Sequence, residues 1–351
     1  MAIRSATSPL AALALAAALV VSACGGAGTN PAASQPNAAA PTATKTATPA
    51  PRQKIVVAIS GDGVQMNKVP TMIAIEAMKA DGIDAEPTFL SKSEAPVEAV
   101  LKGDAQIGIA SFVPVAAAIA QGADLKAVAV ARNTEYLLVA RKPIAKPEDL
   151  DGKRIGINAE ISSTTMLTKL YLQNSPSTKP QYIVVTGSPA RVTAMLANQL
   201  DASAMQLGDE VTIFAQRPND FTILFNYAKE LPDLIDSIVV VNAKYLAANR
   251  AVVKSFVKRL IEAHRKVAAD TAFYAQKATQ FDVILPKGSD VNERAKVTAG
   301  AGVFPRDGGL TTKAMDYTIK ANKDTGIIKE SFPADKLVDR TVLDEVLKEL
   351  P

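Results

Sequence analysis

Four consecutive hydroxyl residues, Ser162-Ser163-Thr164-Thr165, lead into a stretch that puts Met166, Leu167, Leu170 and Tyr171 on one helical face. Hydroxyls and free backbone N–H groups at a helix start suit an anion or a carbonyl. One of the four is needed simply to cap the helix. Ser60, Asp62 and Gln65 follow the apolar run Lys54–Ile59 in a loop with two glycines. Their donors and acceptors could orient a polar head group or a heterocycle, or belong to a solvated loop. Ser111 and Phe112 end a second apolar run, where Phe112 could stack on a ring or fill core. Gln206 and Asp209 end a third, and Asn226 and Tyr227 a fourth. Arg132 follows a strand and is the cation an oxyanion would want, with a surface salt bridge as its alternative fate. Arg191 and Lys92 are the other two cations that bear on this choice, and Ser188 reads as a plain cap.

All of this is binding chemistry. The chain has one His, His264, which falls beside the apolar face of a helix, and one Cys, Cys24. These leave no Cys/His metal cluster, no Cys–His pair and no Ser-His-Asp set. A GxxxxGK phosphate loop is also missing. The expectation is a non-enzyme with no cofactor and no metal.

The elements that must position these residues repeat one unit. Leu101 to Ser111, LKGDAQIGIAS, reads as a helix end, a stop at Gly103 and a buried strand. Leu196 to Gln206, LANQLDASAMQ, has the same grammar about a hundred residues later. Strand-like runs alternate with helical ones from Lys54 onward, which argues for α/β lobes with parallel-type sheets flanked by helices. Strand carboxyl ends then carry the ligand loops, and a cleft between the lobes holds the site. The expected boundaries are 54–140 for the first part of lobe 1, 141–236 for lobe 2, and 237–351 for a return to lobe 1 with covering helices.

The start of the chain differs from the rest. Arg4 precedes the apolar run Leu10–Val21, which is too short for a comfortable membrane span. Residues 1–23 therefore read as a signal peptide, and 24–53, rich in Ala, Pro and Thr, as a tether unable to pack a core. Arg4, Lys45 and Arg52 stand among the first 53 residues without any acid and carry most of the net charge of +4. The remainder is nearly neutral and has no Trp, so no nucleic-acid partner is expected. A single Cys excludes an internal disulfide.

Asp149-Leu150-Asp151-Gly152-Lys153-Arg154-Ile155-Gly156-Ile157 resembles a turn pattern of the solute-binding proteins of ABC importers. The units at Leu101–Ser111 and Leu196–Ala204 add to the resemblance. The nearest branch includes alkanesulfonate, taurine, nitrate and thiamine-precursor binders. Val21-Ser22-Ala23-Cys24 resembles a lipobox. These resemblances imply a two-lobed, type II periplasmic-binding-protein-like fold that captures its ligand by hinge closure. They also imply a monomer tied to the extracytoplasmic face of the cell membrane by lipid (palmitate) on Cys24, with an ABC permease and its ATPase as partners. Over the whole chain the sequence is also similar to riboflavin-binding lipoproteins, which makes riboflavin the favoured ligand. A sulfonate, taurine, nitrate or thiamine pyrimidine is the alternative. An enzyme like the thiamine-pyrimidine-making relatives, or a surface adhesin, is more remote.

Overall fold

The structure is a computed structural model and describes residues 52–351. The expected signal peptide, Cys24 and nearly all of the tether lie outside the described residues. Ten strands form two sheets of five. They are β1 Gln53–Ser60, β2 Ile83–Leu90, β3 Ile107–Ser111, β4 Leu125–Asn133, β5 Tyr136–Arg141, β6 Arg154–Ile157, β7 Gln181–Val184, β8 Ala202–Gln206, β9 Phe221–Asn226 and β10 Ile235–Asn242. The first sheet has the order β2-β1-β3-β10-β4 and the second β7-β6-β8-β5-β9. The two orders are equivalent. The repeated units supply β3 and β8, each third in its sheet, and each follows a helix (Ala95–Lys102 and Ser188–Leu196). Gly103 takes φ +85°, the left-handed stop its position required.

The sheets are mixed, which corrects the parallel-type expectation. In each, the fourth strand runs antiparallel to its neighbours: β10 beside β3 and β4, and β5 beside β8 and β9. Both antiparallel strands have just crossed from the other sheet. This also moves the boundary placed at residue 140. Only Thr134 and Glu135 separate β4 from β5. Such a link is too short for a parallel crossover and has no hairpin-turn residues, so the chain leaves one sheet and enters the other. Successive residues of β5 then serve two cores. Leu137 and Val139 pack into one cluster, and Tyr136, Leu138 and Ala140 into the other.

The last third covers both sheets, not the first alone. Helix Arg250–Ala269 buries Val253, Phe256, Val257 and Leu260 in the first core. Its last turn contributes Val267 to a cluster with Tyr274, Ala278, Phe304, Met195 and Leu200 on the second sheet. His264 is fully buried on the same helix. It holds the Pro305 carbonyl at 3.0 Å from Nδ1 and stacks on Phe304, a structural role. Burial lowers it to about 4.

Candidate ligand-binding cleft

The carboxyl ends of both sheets face one another across a cavity of about 70 Å³. By the room a water needs, that is space for roughly five waters. Ser60, Asp62, Gln65, Ser111 and Arg132 line it from the first sheet. Ser162, Ser163, Thr164 and Gln206 line it from the second. Nine of the thirteen expected binding residues therefore meet in one place, because both sheets end their parallel strands there.

Four do not. Phe112 is buried in the first core, where the helix Phe112–Ala120 needs an apolar anchor. Tyr227 is buried in the second core and donates to the Leu167 carbonyl at 2.9 Å. Asn226 caps its own short helix by accepting from the Lys229 amide at 3.0 Å. Asp209 is fully buried behind the wall, where it accepts from Ser188 Oγ and pairs with Arg294. Ser188 is more than a cap. It lines the cavity, donates to Asp209 and accepts from the Gln206 amide at 3.0 Å. Lys92 is exposed and lies outside the lining.

The wall from the second sheet is made of hydroxyls and helix starts. Helices Ser163–Leu172 and Ser188–Leu196 both begin at the cavity, and helix Phe112–Ala120 begins there from the other side at Ser111. Three helix amino ends thus point their free N–H groups and positive dipole ends at one small space. Ser162 Oγ donates to the Ala159 carbonyl at 2.7 Å, and Thr164 Oγ1 accepts from the Asn158 amide at 2.7 Å. Beneath them lies Arg191, almost wholly buried. It donates to the carbonyls of Val185 and Ala204, both at 3.1 Å. One guanidinium thereby ties the loop after β7 to the end of β8. Asn158, just past β6, accepts from the Gly187 amide at 3.0 Å and adds the third strand end. Burial holds Arg191 below the usual arginine range.

The wall from the first sheet carries charge. Arg132, buried at the end of β4, pairs with Asp236 and, at 3.4 Å, with Glu135. Burial opposes its charge, but Asp236 and Glu135 outweigh burial and hold it above the usual arginine range. Glu135 is itself pushed up to about 7 by burial, against Arg132 and the Asn67 amide that donates to it. Lys68 lines the cavity beside them and is lowered to about 7 by burial and by Arg132. Tyr136 is the one aromatic side chain of the lining, and burial raises its hydroxyl.

The two walls touch through polar side chains. Asn158 Nδ2 donates to Ser93 Oγ at 3.3 Å, and Gln206 Nε2 to Gln65 Oε1 at 3.1 Å. Both crossing segments pass behind the site, and the Thr134 amide donates to the Leu234 carbonyl at 2.8 Å.

Sequence reasoning passed over Lys68, Tyr136 and Asn158 as lining residues, and named Arg191 only as a cation that bears on the ligand class. Asn158 was within reach of the strand-end rule, since it directly follows β6. The buried, carbonyl-bracing role of Arg191 had no such signal, because a mid-helix arginine ordinarily faces water. Among the described residues no group of His, Cys, Asp and Glu side chains could hold a metal ion. No helix among them is long and apolar enough to cross a membrane.

Solved structures share this architecture. A protein from Bordetella bronchiseptica RB50 superposes with a TM-score of 0.72 at 18% identity, covering 85% of this chain and 98% of that one. The periplasmic nitrate-binding protein NrtA from Synechocystis PCC 6803 gives 0.69 at 11% identity, covering 85% and 89%. The alkanesulfonate-binding protein SsuA from Xanthomonas axonopodis pv. citri, bound to MOPS, gives 0.63 at 18% identity, covering 83% and 100%. At these identities the likeness shows the periplasmic-binding-protein-like fold. No curated protein matches the chain. Residues 78–271, more than half of the sequence, match the family described as NMT1/THI5 like, and the chain belongs to that family.

Proposed function

We propose that this protein is the solute-capturing component of an ABC importer and that its cleft takes a small oxyanion of the sulfonate or nitrate kind. The observation that carries this reading is the convergence of three helix starts and Arg132 on one small, hydroxyl-lined cavity. The names of two structural neighbours, a nitrate binder and an alkanesulfonate binder, point the same way. Riboflavin, favoured by whole-chain similarity, finds less support. Only Tyr136 offers a ring face among the lining residues, which are otherwise hydroxyl, amide and charged groups.

Capture follows from the two-sheet layout. An anion held by Arg132 on one side and by Ser162–Thr164 and Ser188 on the other contacts both lobes only when they are together. Its differential affinity therefore favours the joined state. The joined state then delivers the anion to a permease and its ATPase. Lipidation of Cys24 would keep the domain at the extracytoplasmic membrane face. Lys68, the one amine of the lining, is bonded to the Gly63 carbonyl and not to a lining serine, which supports binding without turnover.

The test is calorimetric titration of the purified domain with nitrate, methanesulfonate and taurine, beside a fluorescence titration with riboflavin. Saturable heat with an anion and unchanged flavin emission support the reading. Flavin quenching without any anion binding overturns it and restores the vitamin.

A further inference from the structure

We propose that Lys68 takes up a proton when an anion enters the cleft, so that this site binds its ligand together with a proton. The inference rests on the oxyanion reading above and deepens it.

Its geometry is that of a built socket. The Ser60-Gly61-Asp62-Gly63 loop wraps the side chain, and Lys68 Nζ donates to the Gly63 carbonyl at 2.9 Å. Gly61 takes φ +107°, and a Cβ there would stand 2.5 Å from Nζ, so the loop needs a glycine to let the amine in. The ring of Phe89 on β2 lies 5.6 Å from the same nitrogen. Only 5% of the residue is exposed, and that part faces the cavity.

The charges around the amine are closely balanced. Arg132 from β4 opposes an ammonium, whereas Asp62 on its own loop and Glu135 on the crossing segment favour it. Burial and Arg132 prevail and leave the amine near the midpoint of its titration at about pH 7. An oxyanion placed between Lys68 and Arg132 adds the negative charge the amine lacks. The amine then binds a proton and can donate to the ligand.

The sign follows from linkage. Below about 7 the empty site already carries the ammonium, and Lys68 gives affinity no pH dependence. Above that value each anion must bring a proton, and affinity falls about tenfold per pH unit. Glu135 also titrates at about 7, and an anion favours its protonated form as well. The two groups must therefore be separated by substitution.

The experiment is isothermal titration of the domain with nitrate, methanesulfonate and taurine between about pH 6.5 and 8.5, in two amine buffers of different ionisation enthalpy. Sulfonate and phosphate buffers are avoided because they would compete. Uptake approaching one proton per anion in Glu135→Gln, and none in the double variant Lys68→Met/Glu135→Gln, supports the proposal. Uptake that persists in Lys68→Met and vanishes in Glu135→Gln, or binding with no uptake at all, overturns it while leaving the anion site standing. Failure of all three anions to bind at any pH overturns the oxyanion reading, and this proposal with it.

Discussion

The two walls of the cleft solve one problem by different physics. The wall from the second sheet presents neutral hydroxyls and helix starts, with its one cation, Arg191, committed to backbone carbonyls. The wall from the first sheet presents Lys68 and Arg132, held against Asp236 and Glu135. Fixed dipoles cannot titrate, so the second wall would grip the proposed anion equally at any pH near neutrality. Buried charges can titrate, so on the proposal above the first wall would respond to pH and to the ligand. Equivalent sheet topologies thus carry unlike sites. The difference lies in the first crossing segment, which carries Glu135, and in the start of β10, which carries Asp236.

The largest expected effect breaks the first wall. Arg132→Met leaves Asp236 and Glu135 buried without their cation, at a cost of about 3–5 kcal/mol. Chemical denaturation should show that loss, and titration should show no anion binding. Retained stability would mean that the ion cluster is better solvated than its burial indicates.

Next comes a control that belongs to neither wall. His264 is held down to about 4, against an unfolded value near 6.5. A histidine lowered on folding leaves stability intact above the unfolded value and erodes it as pH falls toward the folded one. About 3 kcal/mol should be lost between pH 7 and 4. His264→Gln, followed by denaturant unfolding at both pH values, should flatten that slope. It should leave the pH dependence of anion affinity untouched, and a change there would blur the contrast between the walls.

Arg191→Lys probes the second wall. The ammonium cannot reach both carbonyls, and an unmet buried acceptor costs about 1–3 kcal/mol. Affinity should fall with the misplaced helix starts by the same factor at every pH. A pH-dependent loss would mean that Arg191 acts as a charge on the ligand and not as a brace.

The smallest effect is that of Ser162→Ala, which removes the bond to the Ala159 carbonyl. It should cost about 1 kcal/mol in stability, again without pH dependence. Thermal unfolding in buffers at neutral and mildly alkaline pH would measure it.

Much of this was legible in the sequence. The repeated helix–turn–strand units placed β3 and β8 correctly, and loops at strand ends supplied nine of the lining residues. What escaped shares one cause. Asp209 and Phe112 lie close to lining residues in sequence but point into packing, the Asn226-Tyr227 end of β9 supplies no lining residue, and spacing alone does not say which strand end, or which side of it, faces the ligand. The exchange of β5 between sheets was readable in principle from the two-residue link after β4. The bracing role of Arg191 depends on carbonyls of distant residues, Val185 and Ala204, whose positions exist only once the second sheet is assembled. Lys68 shows the same dependence, since its socket is formed by a loop that acquires its shape by folding around it.

The bond from the Thr134 amide to the Leu234 carbonyl has a mechanical consequence. A lone connection would let one lobe swivel as well as swing. Two connections laid side by side and bonded to each other behave as paired door hinges, stiff in torsion and compliant about a single axis. In the proposed capture the walls would therefore return to the same registration on each closure. A nick in either connection should leave both lobes folded and associated while turning that door into a loose universal joint.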